Sequence, residues 1–136
     1  MSTFTDAQQK AARKAFIEEN KQKAWNAACH AEWIGKGLDQ VVAECEKMQK
    51  EDEKLAEEIK ALEASVVSHT KENRDQRKAL QERRNGIAKT ILGLRQHHER
   101  GQAAMAQLYQ NVETSLALAK HAETWEWKEA QSPKES

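Results

Sequence analysis

The sequence predicts an all-α protein, an antiparallel three-helix bundle with a projecting two-stranded coiled-coil hairpin. Three observations point there. Charged residues make up 32% of the 136 residues and aromatics only 5%, with five Gly and one Pro, so turns are few and strand-formers scarce. Apolar residues recur at three- and four-residue intervals over long stretches, which is the helical period. These runs are divided at Gly35-Lys36-Gly37 and at Asn85-Gly86, where the chain has residues that tolerate a reversal.

Thr5 opens the first element. Its hydroxyl can cap the free amides of a helix while Gln8, three residues on, reaches back, and Asp6 suits the positive helix start. The first helix then runs over about 6–34, with Ala12, Phe16, Ile17, Ala24, Trp25, Ala28, Ala31 and Ile34 on one stripe. Its many alanines admit a close neighbour. Asp39 is a plausible cap for a second helix over about 39–84, where Val41, Cys45, Met48, Leu55, Ile59, Leu62 and Val66 form a heptad seam. That seam turns polar at His69, Asn73 and Gln76 before Leu80. A third helix over about 87–128 carries Ile87, Ile91, Leu94, Met105, Leu108, Val112, Leu116 and Ala119. Residues 1–130 read as one elongated domain, and 131–136, with the only Pro, as a frayed tail.

Facing positions in an antiparallel pair have a constant index sum. Leu80 with Ile91, Val66 with Met105, Ile59 with Val112 and Leu55 with Leu116 all sum to 171, which puts a turn at 85 or 86. The first and second helices align similarly near 72 or 73. The alternative is one short helix packed on a single very long dimerising helix from Asp39 to Trp127, with Asn73 setting register between two chains.

Lys+Arg and Asp+Glu balance at 22 each, which removes any global drive toward nucleic acid or anionic membrane. No stretch approaches the roughly 20 apolar residues that span a bilayer, and Met1 to Asp6 lack the basic start and apolar run of a secretory signal. A cytoplasmic protein of a reducing compartment is therefore expected, with no membrane partner. Cys29 and Cys45 are expected to neighbour one another across the first two helices as free thiols, and they lack metal-site spacing. The adjacent His97 and His98 splay apart, and no phosphate loop, nucleophile elbow or zinc-helix motif is present. The expectation is a non-enzymatic protein with no cofactor and no metal.

Two surfaces are candidates for partner binding. Trp25 and Trp33 should meet Trp125 and Trp127 at one end of the bundle, and since residues two apart point in different directions, one of Trp125 and Trp127 should stand exposed as a docking hot spot. Charge is also segregated. Residues 39–63 hold nine acids against four bases, a net of −5, and residues 71–100 hold nine bases against four acids, a net of +5. Arg74, Arg77, Lys78, Arg83, Arg84 and Lys89 would then form a basic tip able to meet phosphates or an acidic protein. Glu72, Asp75 and Glu82 can also neutralise them as on any solvated helix face.

Trp33-Ile34-Gly35 resembles the Trp-x-Gly turn of the small secreted helical-hairpin proteins of the WXG100 family, and Tyr109 to Glu113 has the spacing of that family's Tyr-x-x-x-Asp/Glu tail signal. The likeness covers little of the chain and lends it no functional residue. The function expected from the residues is a protein–protein interaction module, a coiled-coil adaptor, stalk or structural subunit, with self-association through helical seams also open. The alternative is a helical hairpin arm that binds nucleic acid through a basic tip.

Overall fold

The structure is a computed structural model in which residues 5–124 are described. They form two α-helices, α1 (Asp6–Ala64) and α2 (Lys71–Glu123), joined by residues 65–70. Two helices thus stand where three were expected, and the hairpin is made once.

The start of α1 follows the sequence expectation. Thr5 N donates to Gln8 Oε1 at 2.8 Å, Gln8 N donates to Thr5 Oγ1 at 3.1 Å, and Gln9 N begins the helical ladder on Thr5 O. This reciprocal cap satisfies amides that no preceding turn can reach.

Neither glycine segment reverses the chain. α1 continues through Gly35-Lys36-Gly37, which leaves Asp39 as an interior residue instead of a cap. α2 continues through Asn85-Gly86, where Gln81 Nε2 donates to Asn85 Oδ1 at 3.0 Å and Thr90 Oγ1 donates to Gly86 O at 3.1 Å. The boundaries expected near 34–39 and 84–87 are therefore absent, and so is an unbroken helix from Asp39 to Trp127. The reason lies in burial. From Asn73 to Ala122 the covered positions of α2 step by four and three residues without a break. An interior glycine costs a helix up to about 1 kcal/mol, less than the lost packing of a stripe thrown out of phase.

Reversal falls instead on Ser65-Val66-Val67-Ser68-His69-Thr70, a run without a strong helix former. Its backbone groups are satisfied locally. Ser65 N donates to Leu62 O, Ser68 N to Ser65 O, and Val67 N to Ser65 Oγ. Thr70 then caps α2: Asn73 N donates to its Oγ1 at 3.3 Å, and the same hydroxyl donates to Val67 O at 2.8 Å. Val66, expected in the seam, stands 93% exposed at the bend.

With the turn here, bonded partners across the arms such as Leu62 and Asn73 share index sums near 135 instead of 171. The difference of about 35 is five heptads, the repeat of the covered stripe. Registers separated by whole turns show the same faces to each other, so the apolar pattern satisfied both and the turn chemistry decided.

The helices fall into two compact units. In the unit of residues 5–33 and 104–124 the buried side chains are small: Ala24, Ala31, Ala119 and Ala122, with Asn20 among them donating from Nδ2 to Phe16 O at 2.9 Å. Trp25 and Leu116, both assigned to stripes by sequence, are exposed. In the unit of residues 34–103 the core is Leu38, Leu55 and Leu80. Here Gly101 makes room for Leu38, whose Cγ and Cδ1 would lie 3.1 Å from an added Cβ. Cys29 and Cys45 are free thiols on the same helix, so the expected approach across two antiparallel helices does not occur.

Candidate functional interface

The charge segregation reads differently once the turn is placed. Residues 39–63 and 71–100 lie on opposite arms of the unit formed by residues 34–103, so the acidic stretch of α1 runs alongside the basic stretch of α2. Two pairs tie them. Arg83 Nη2 lies 3.3 Å from Glu51 Oε1, and Arg84 holds Asp52 with two hydrogen bonds, Nε to Oδ1 at 2.9 Å and Nη2 to Oδ2 at 3.2 Å. The hydrogen bonds from Arg84 hold the Asp52 carboxyl below its ordinary value of 3.8, against a smaller opposing effect of desolvation, and the carboxylate raises Arg84 in return.

Arg77, a third member of the expected basic tip, turns back onto the bend and donates from Nη2 to Ser68 O at 2.8 Å. One turn before it, buried Asn73 donates from Nδ2 to Leu62 O at 3.1 Å and so accepts the task of closing the end of α1. Arg77 Nε and Asn73 Oδ1 are buried with no hydrogen-bond partner among the described residues. The six bases therefore divide. Arg83 and Arg84 pair with the opposite arm and Arg77 bonds the bend, while Arg74, Lys78 and Lys89 are exposed and form no ion pair among the described residues. The bend at 65–70 also removes the tip at Asn85-Gly86 on which the six were expected to cluster.

The aromatic surface is carried by α1. Trp25 is 66% exposed and Trp33 72% exposed, with exposed Cys29 midway between them. All three point away from the buried Ala24 and Ala31, and so away from the side of α1 that packs. His30 lies one turn before Trp33, its ring 6.3 Å from the indole with planes tilted by 37°. Trp125 and Trp127 lie outside the described residues. Sequence reasoning assigned Trp25 to the apolar stripe, and the signal against it was its place next to Ala24 on a 3.5-residue seam.

Trp33-Ile34-Gly35 is a run of helix inside α1, and Tyr109 to Glu113 lies inside α2, so neither has the turn or tail setting that its resemblance implied. Among the described residues no group of three or more His, Cys, Asp and Glu could hold a metal ion, and no helix is long and apolar enough to cross a membrane. Comparison with known protein families, curated proteins and solved structures finds no match to this chain.

Proposed function

We propose that this chain is a non-enzymatic protein–protein interaction module, a coiled-coil adaptor, stalk or structural subunit that works in the cytoplasm without a cofactor. One observation carries the reading: Trp25 and Trp33 stand on the outward side of α1, unused by the hairpin. Tryptophan is the side chain most enriched at binding hot spots, and two within three helical turns are a costly surface to leave wet. A hairpin with one seam suits this role, because each helix keeps its remaining faces for other molecules. The test is capture from native extract by the wild type and by Trp25→Ala/Trp33→Ala. The reading expects a defined protein retained by the first and lost by the second; identical retention by both would remove the tryptophan face from it.

A second reading, a hairpin arm that grips nucleic-acid phosphates, is favoured by exposed Arg74, Lys78 and Lys89, which spend no charge on the fold. It expects binding that falls steeply with salt and a shallower salt slope for Arg74→Glu/Lys78→Glu. No binding at low salt would end it. Arg83 and Arg84 are unsuitable probes, since changing them breaks the hairpin's own ion pairs.

A further inference from the structure

We propose that a single buried water is bound beneath the bend, held between Asn73 Oδ1 and Arg77 Nε. Asn73 is only 5% exposed, and both atoms are buried without a hydrogen-bond partner among the described residues. The rest of each side chain is already tied down. Asn73 Nδ2 donates to Leu62 O at 3.1 Å and Arg77 Nη2 donates to Ser68 O at 2.8 Å, so neither group can swing toward solvent without breaking its bond to the end of α1 or to the bend. The amide cannot be turned over either, since that would set Oδ1 against the Leu62 carbonyl oxygen. Asn73 therefore presents a fixed acceptor and Arg77 a fixed donor, one turn apart on the packed side of α2.

The chemistry of the occupant follows from that pairing. Residues four apart on a helix have Cβ atoms about 5–6 Å from one another, which is the span of two hydrogen bonds of about 2.9 Å that meet at one atom. The molecule between them must accept from Nε–H and donate to Oδ1. A cation is repelled by the guanidinium. An anion can accept but cannot donate, and it would face the oxygens of Asn73, Leu62 and Ser68. Water does both. The bend gives it a polar setting: Val66, Val67 and His69 are exposed whereas Ser65, Ser68 and Thr70 are part-buried, so the side chains turned inward are small and carry hydroxyls. Leaving a buried amide oxygen and a buried guanidinium N–H unpaired costs more than holding one water still. The water thereby joins the first turns of α2 to the bend as one hydrogen-bonded unit, whichever outer faces of the hairpin meet other molecules.

Nuclear magnetic resonance of the full chain tests this at the Arg77 Nε–H, with no substitution needed. That proton should exchange slowly with solvent and show cross-relaxation to water with the sign of a long-lived contact. Its resonance should hold its position as sodium chloride is raised. Asn73→Leu should remove the water contact, and Asn73→Leu and Arg77→Met should each lower the urea midpoint. The double variant should lower it by less than the two changes added together, because it strands neither partner. Four results would each overturn the proposal. They are an Nε–H that exchanges as fast as that of free arginine, a protected Nε–H without water contact, a resonance that follows chloride, and midpoint changes that simply add. The second would mean a direct bond between the two side chains and the third an anion in place of water.

Discussion

Asp52 and Arg84 form a two-pronged ion pair at seam positions of opposite arms, each about one-third exposed. Such a pair adds little net stability in a position open to water, and its larger effect is on register. Sliding one arm by a heptad would set Arg84 at the level of Cys45 or Ile59, and Asp52 at the level of Arg77 or Ile91. Every slip leaves at least one charge facing an unsuitable residue, so the pair selects one alignment among several that the apolar stripe permits.

The pair makes stability acid-sensitive in a defined direction. Because Asp52 titrates below 3.8 in the folded state, its contribution is fully present above that value and is lost as pH falls through the lower folded one. The urea midpoint should drop more for wild type than for Asp52→Asn between about pH 5 and pH 3. Equal drops would show that the pair does not link folding to protons.

Glycines should respond oppositely according to their side of the helix. An added Cβ meets nothing within 4 Å at Gly86 or Gly93 but runs into Leu38 at Gly101. Gly86→Ala and Gly93→Ala should each stabilise by about 0.5–1 kcal/mol. Gly101→Val should destabilise by about 1–3 kcal/mol, because Leu38 is buried and has little room to turn aside. Denaturant unfolding of the three variants decides it, and a stabilising Gly101→Val would contradict the packing described.

Leu55→Ala should cost about 2–4 kcal/mol, since the side chain is 3% exposed. Val66→Ser, at the bend, should fall within about 0.5 kcal/mol of wild type. If the two variants unfold alike, the seam is not where the stability resides.

The cap on α2 is a separate contribution. Thr70→Ala removes the hydroxyl that accepts from Asn73 N and donates to Val67 O, and should cost about 1 kcal/mol. Thr70→Ser keeps both bonds and should recover most of the loss, as read from chemical-denaturation midpoints.

Sequence revealed helix content, the cap at Thr5 and the covered identity of Val41, Leu55, Leu80 and Leu108, because each depends on local chemistry or on a period of a few residues. It misplaced the bend because glycine marks permission for a turn, not a requirement, and because stripes whole turns apart look the same. The Thr70 cap and the weak helix formers before it stand in the sequence, but the expected turn rested on Asn85-Gly86 and the index sums alone. The site was half legible for the same reason. Trp33 was singled out, but the basic cluster was read as a free tip because its acidic counterpart had been assigned to a different part of the molecule, and Asp52 drew no notice as a carboxylate in an apolar seam.

The covered stripe of α2 never loses phase from Asn73 to Ala122, and this makes the hairpin's length a quantity the gene can alter in steps. Removing or adding seven residues in each arm at the same level would return every remaining layer to its neighbour, two turns nearer to the bend or farther from it. A change in one arm alone, between the pair and the bend, would leave Asp52 and Arg84 at different levels.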